Sequence, residues 1–303
     1  MPEIQRIKRP EVLWKWLRYT GLPRSTRESI ARTIRNVRSP GERAVRRSMV
    51  TSLESAKTPE QSFLTSQGYI QLPPDFAPGT VKIAFVLNQI YQSARGIVPG
   101  TSSGSKKTNF LVTVLQNEAF IAQPEILAYI TSAPILELAA GYLGEAPVLS
   151  SVKLWWSPVN NTTQSSQLYH FDEEDDWQLK FFLNVSPVTS ESGPFTLLPI
   201  PASEEVAHRA GRRHGRFPDE LVERHVGPPK PVCLTGPSGT LAAVDTSRCL
   251  HFGSRGNTVD RVVLMFQFTR FSAPQARSPS WGPQIQPLVK NMSALQRRAF
   301  QYA

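Results

Sequence analysis

Arg261-Val-Val-Leu-Met-Phe-Gln-Phe-Thr269 is an uninterrupted run of β-branched, aromatic and long apolar residues without glycine or proline, and such a run reads as a buried strand. Its pleat separates two sets: Arg261, Val263, Met265 and Gln267 share one face, and Val262, Leu264, Phe266 and Phe268 the other. Leu179-Lys-Phe-Phe-Leu-Asn-Val185 is apolar on both faces as well. That makes sense if one face of the sheet lines an interior and the other is covered by helices. A cation opening a strand, as Arg261 does, then points into that interior.

Two further segments supply chemistry for the same space. Gln167 to Asp172 reads as the end of a strand, so His170 and Asp172 share a face and Phe171 points away. His251 follows far downstream, after a glycine turn and a strand. Two imidazoles and one carboxylate can occupy three facial positions of an octahedral ferrous ion and leave three open. In a two-sheet jelly roll the metal sits inside one open end, so a short strand supplies the His-x-Asp pair and a late strand the distant histidine. The predicted fold is therefore mainly β with flanking helices, a double-stranded β-helix in the form of a jelly-roll, cupin-like barrel. Arg261 would anchor an acidic co-substrate, because a guanidinium pairs bidentately with carboxylates and stays charged at working pH. The plain alternative is a structural histidine pair.

The stretches Leu168-Tyr-His-Phe-Asp172, Leu179 to Val185, Gly193-Pro194, Gly239-Thr-Leu-Ala-Ala-Val-Asp-Thr246 and His251-Phe-Gly253 together resemble the phytanoyl-CoA dioxygenase family of Fe(II)/2-oxoglutarate-dependent oxygenases. Upstream, Phe63-Leu-Thr-Ser-Gln-Gly-Tyr-Ile-Gln-Leu72 is similar to that family's opening helix and first strand, and Ala140-Gly-Tyr-Leu-Gly144 to the helix end before its core sheet. The resemblance runs from Leu64 to Phe271. It implies that His170, Asp172 and His251 are the catalytic Fe(II) ligands and that Arg261 binds the distal carboxylate of 2-oxoglutarate. With O2, such a site hydroxylates a small organic molecule and releases succinate and CO2. Two departures stand out. Leu198-Pro-Ile-Pro-Ala-Ser203 replaces the Gly-Ser-His found in many relatives, and Gly253 stands where relatives often have a hydroxyl residue, with Ser254 next. Halogenating relatives lose the ligand carboxylate; Asp172 is present, which favours hydroxylation. The competing readings are a non-catalytic jelly-roll binding module and a cupin-like metalloenzyme that does not use 2-oxoglutarate.

Composition sets the outer bounds. A chain of 303 residues, 40% of them hydrophobic, can bury a substantial core. It has no long apolar run of the kind that spans a membrane. Cys233 and Cys249 have neither the number nor the spacing of a disulfide framework or zinc site, which fits a cytoplasmic, reducing location. Residues 1 to 50 carry thirteen Lys and Arg against four acids, almost the whole net charge of +10. This reads as a basic helical extension over 1–57 with solvated arginines, or as a surface for something anionic. Nothing resembles a nucleic-acid motif, and a small-molecule substrate is the expected partner.

Local signals divide the rest. Ser25 and Glu28 form a capping box for a helix that Pro40 ends, and Pro10 precedes a short apolar stretch. Thr58, Pro59 and Gln61 start another helix, followed by helices over Thr80 to Arg95, Pro124 to Ile130 and Pro134 to Leu143, with a Gly/Ser loop over 99–107. The oxygenase-like region is 58–275, and 276–303 is a tail or helix. A long segment over 201–231, carrying Arg209, Arg212, Arg213 and Arg216 with His208, His214 and His225, reads as a lid loop whose arginines could meet an anionic substrate. Lys153 and Lys180 interrupt apolar strands and must reach solvent or an anion. Glu173 to Asp176 read as a solvated turn.

Overall fold

The computed structural model describes residues 40–51, 58–95, 110–226, 231–271, 273, 281 and 283–302, with the single positions 26, 29, 30 and 33. The stretch after Pro10, the Ser25/Glu28 cap and the 99–107 loop lie outside the described residues. Pro40 stands at the start of α1, which spans Pro40–Ser48, where proline's missing N–H is no loss in the first turn; the end of the helix expected before it lies outside the described residues. Helix α2 (Pro59–Gln67) begins with the expected capping box between Thr58 and Gln61 and ends at Gly68 in the left-handed region, φ 81°. A Cβ at Gly68 would lie 2.5 Å from the Cys249 sulfur, so glycine is required by space as well as by φ. Strand β1 (Tyr69–Leu72), helix α3 (Thr80–Ala94) and strand β2 (Val112–Gln116) follow. After them come α4 (Pro124–Ile130) and α5 (Ala133–Leu143), close to the predicted bounds.

The strands that carry the site are β3 (Val148–Ser157), β4 (Gln178–Asn184) and β5 (Phe195–Leu197). Helices α6 (Ile200–Arg209) and α7 (Asp219–Val226) intervene before β6 (Val232–Leu234), β7 (Leu241–Val244), β8 (His251–Phe252) and β9 (Arg261–Thr269). Short helices α8 (Gln286–Val289) and α9 (Ala294–Ala299) close the described chain. A six-stranded sheet runs β1-β7-β4-β9-β3-β2, and a three-stranded sheet runs β6-β5-β8. The paired strands are antiparallel throughout.

The alternation predicted for β9 is the organising feature. Val262, Leu264, Phe266 and Phe268 join Leu179, Phe181 and Leu183 of β4 and Val152 and Leu154 of β3 in the main core, packed against α3, α4 and α5. Each large apolar side chain so buried contributes about 1.5–3 kcal/mol. The other face carries Phe182, Ala242, Val244, Val263 and Met265, which meet Leu197 and Leu234 of the smaller sheet. No single helix among the described residues is long and apolar enough to cross a membrane; α4 and α5 pass that test only together, bent by 44°, and both contribute to the main core.

Three expectations are corrected. The two sheets face one another without closing into a barrel, because β5, β6 and β8 are only two or three residues long and offer too few ladder bonds. The 201–231 segment is not an open loop. It contains α6 and α7, whose Val206, Ala207 and Val222 bury against Tyr169, Phe171, Leu198, Phe217 and Leu250. The basic segment is solvated only in part: of its described arginines Arg47 is exposed, whereas Arg43 and Arg46 are buried. Arg46 is 1% exposed and donates to the carbonyls of Ala146 (2.9 Å), Pro147 (3.3 Å) and Arg298 (2.9 Å), while its Nε meets Glu42 at 2.7 Å. Its guanidinium also lies 4.7 Å from the Phe271 ring centroid.

Candidate metal centre and anion pocket

His170 and His251 exchange both backbone hydrogen bonds, N to O at 3.0 and 3.1 Å. The bridge joins His170 to the first residue of β8, and the strand expected over Gln167 to Asp172 reduces to two isolated bridges, at Tyr169 and His170. It suffices to bring the two rings to 4.3 Å between centroids. The residues flanking His170 anchor it: Tyr169 bridges Phe217, and Phe171 turns the opposite way into the cluster beneath α6 and α7. Asp172 is fixed by its N–H to the Thr246 carbonyl at 2.9 Å.

Each imidazole points its Nδ1 at a carbonyl two residues earlier, Leu168 for His170 and Cys249 for His251, both at 2.9 Å. A carbonyl only accepts, so Nδ1 carries the proton and Nε2 presents its lone pair. The two Nε2 atoms lie 3.7 and 3.6 Å from the Asp172 carboxylate oxygens. One donor atom from each of the three residues falls within 4.8 Å of the others, the one such His/Cys/Asp/Glu group among the described residues. Burial, then the neighbouring His251, pushes the His170 pKa down to about 3, and burial lowers that of His251. Both rings are therefore neutral, as ligands must be. Burial alone would raise the Asp172 pKa, but the Lys180 ammonium, the first of the neighbouring groups acting against it, holds the carboxyl well below its usual range. The donor set fits a divalent first-row metal with open positions.

Lys180 is the residue whose weight the sequence understated. Its ammonium donates to Asp172 Oδ2 at 2.6 Å. Lys153, the other lysine in an apolar strand, leans over the Trp155 ring at 5.8 Å instead.

Beside the triad lies a pocket lined by Phe182, Asn184, Phe195, Thr240, Arg261 and Val263, among others. Phe195 joins the two: its ring stacks on His251 at 5.0 Å and 17°, and it also lines the pocket. Arg261 enters from the start of β9, as the alternation predicts. Its Nη2 donates to Ser254 Oγ at 2.9 Å, and Ser254 is in turn 2.6 Å from Ser157 Oγ. Its Nε has no partner among the described residues. Burial, offset by no acid among the described residues, pulls the Arg261 pKa down to about 10. Ser254 adopts φ 60°, an uncommon conformation for a side-chain-bearing residue. Gln167 Nε2 holds its carbonyl at 2.5 Å, and Asn160 Nδ2 at 3.3 Å.

The lid arginines divide by use. Arg209 pairs with Glu205, and Arg213 pairs with Glu204 while lying 4.6 Å over Phe171. Arg212 lies 4.2 Å over Phe217 and donates to the carbonyls of His214 and Arg216. Arg216 is the one that acts electrostatically on both His170 and Asp172. His208, His214 and His225 do not join the triad. The acidic turn is only partly solvated: Asp175 is fully buried against Arg270, with both contacts at 3.2 Å, and Asp176 is buried beside it.

The sequence matches no protein-family model and no curated protein. Solved structures do match. EctD from S. alaskensis with bound Fe has a TM-score of 0.51 at 16% identity, over 74% of this chain and 80% of that one. The same protein with 2-oxoglutarate and 5-hydroxyectoine has a TM-score of 0.50 at 15% identity, over 72% and 77%. SnoK, a non-heme alpha ketoglutarate dependent carbocyclase from nogalamycin biosynthesis, has 0.51 at 16%, over 80% and 92%. This chain has their fold. Among residues the sequence reading did not single out, Phe195 sits one position beyond the quoted Gly193-Pro194 motif, which could have flagged it. Gln167 carries no local signal, since its role depends on a carbonyl 87 residues away.

Proposed function

We propose that this protein is an Fe(II)/2-oxoglutarate-dependent oxygenase, similar to the phytanoyl-CoA dioxygenase family, that hydroxylates a small organic molecule. One observation carries the reading: a triad of two neutral histidines and one carboxylate adjoins a pocket in which a buried arginine has no acidic partner among the described residues. An unpaired buried cation is costly, and a dicarboxylate co-substrate removes that cost. The fold-matched EctD structures, with Fe and with 2-oxoglutarate, support the same pairing of ligands.

In this assignment His170, Asp172 and His251 hold the iron. The iron, when bound, supplies the activation of O2 that couples decarboxylation of 2-oxoglutarate to hydroxylation. Arg261 takes the distal carboxylate with its unpartnered Nε contributing, while Ser254 fixes the guanidinium through Nη2. Phe182, Phe195 and Val263 wall the pocket and exclude water from it. The Nδ1 bonds to backbone keep both imidazoles in the ligating tautomer. A metalloenzyme that uses no keto acid leaves the burial of Arg261 without a purpose, and a binding module leaves the triad without one. The division into a 1–57 extension, a 58–275 catalytic region and a 276–303 tail belongs to the same proposal. So does a cytoplasmic location, which the free thiols of Cys233 and Cys249 favour.

Titrating 2-oxoglutarate into anaerobic protein loaded with Fe(II) should produce a metal-to-ligand charge-transfer band. Iron-loaded protein that stays colourless at saturating keto acid would refute the assignment.

A further inference from the structure

We infer that Lys180 keeps Asp172 to a single metal-binding oxygen, so that the third open position of the metal stays free. The inference rests on the metal-site reading above and adds to it a residue with a distinct task.

Lys180 sits in the middle of β4, its backbone fixed by register with Val244 of β7 on one side and Gln267 of β9 on the other. The strand cannot shift without breaking both ladders. Its side chain is 10% exposed, and its ammonium reaches Asp172 Oδ2 at 2.6 Å, a short charge-assisted hydrogen bond. An ammonium this buried has strong reason to keep its partner, since releasing it leaves a desolvated cation.

The geometry assigns the two carboxylate oxygens different tasks. Oδ2 accepts from the Lys180 ammonium and lies 3.6 Å from His251 Nε2, while Oδ1 lies 3.7 Å from His170 Nε2. Chelation through both oxygens would place a divalent cation on the atom that the ammonium already holds, setting like charges side by side. Chelation would also consume a fourth coordination position. A keto acid binding through two oxygens then leaves none for O2. Lys180 is thus a positioning residue: it touches neither co-substrate nor oxidant, and acts by occupying one lone-pair site of a ligand.

Mn(II) provides a probe that does not depend on turnover, because water-proton relaxation counts the exchangeable waters on the bound ion. At saturating Mn(II), wild-type protein should carry three such waters, one for each open position. Lys180→Met, which keeps the stem and removes the charge, should carry two, seen as a fall in relaxivity of about one third. Equal relaxivity in the two proteins would overturn the inference. So would a folded Lys180→Met that no longer binds Mn(II), since the lysine would then be needed for ligation itself. Wild-type protein that binds no Mn(II) would instead defeat the metal-site reading. Should the variant fail to fold, the wild-type Mn(II) complex answers by crystallography. One Asp172 oxygen on the ion and the other on Lys180 is the expected result, and both on the ion overturns it.

Discussion

The two faces of the six-stranded sheet are made by alternate residues of the same strands, yet they are built on opposite principles. On β4 and β9 the helix-covered face carries Leu179, Phe181, Leu183, Leu264, Phe266 and Phe268, all without polar atoms and all fully buried. The site-lining face of the same strands carries Gln178, Lys180, Asn184, Arg261 and Gln267, also buried. Four of them have specific partners: Gln178 binds Thr246 at 2.8 Å, Gln267 binds Gln178 at 3.1 Å, Asn184 donates to the Gly236 carbonyl at 3.3 Å, and Lys180 binds Asp172. Arg261 is the exception, held by one serine and otherwise uncompensated. One face is thus stabilised by area and packing alone, whereas the other adds specific polar partners to the packing of Phe182, Val263 and Met265, and Arg261 is the place where such a partner is lacking among the described residues.

Substitutions on either side test how separable the faces are. Phe266, stacked on Phe181 at 4.9 Å, should have the largest effect on stability. Phe266→Ala is expected to cost about 3–5 kcal/mol in denaturant unfolding, with Mn(II) affinity of the folded protein unchanged; a parallel loss of metal affinity would show that the faces are coupled. Asp172→Ala should weaken Mn(II) binding by more than about 100-fold. It should also cost up to about 3 kcal/mol, because Lys180 is left buried without its closest partner. Adding Lys180→Met should recover the stability and not the metal, and a double variant no more stable than Asp172→Ala would contradict the ion-pair account. Arg261→Met should weaken 2-oxoglutarate binding roughly 10- to 100-fold, the value of one or two charged hydrogen bonds. Its melting temperature should equal or exceed that of the wild type, since the arginine lacks a buried counter-charge. A clear drop would mean that Arg261 is structural.

What could be read from the chain follows the range of the interaction. The period-2 alternation of β9 is local, so it placed Arg261 on the site face before any coordinates. The His-x-Asp pair is local too, and its partner His251 could be proposed because metal donor chemistry restricts the choice. Lys180 was visible as an anomaly, a charge in an apolar strand, but its partner was not. The open form of the two sheets was hidden, because strands of two or three residues have no periodicity to detect. Helices α6 and α7 were masked by an arginine- and proline-rich composition that reads as loop, although Pro201 and the Glu-Glu-Val-Ala run after it suit a helix start. Arg46 and Asp175 were read as solvated because their partners, Ala146, Arg298 and Arg270, lie from 95 to 252 residues away.

The guanidinium of Arg46 has a practical bearing on how this protein is handled. It fastens the helix of residues 40–48 to the turn before the first long strand and to the final helix in one grip. Trimming the polypeptide at residue 58, where the oxygenase-like pattern starts, would strip three inward-facing carbonyls of their donor and leave Phe271 bare. A shortened version designed from motif boundaries alone would lose the clasp that ties its beginning to its end.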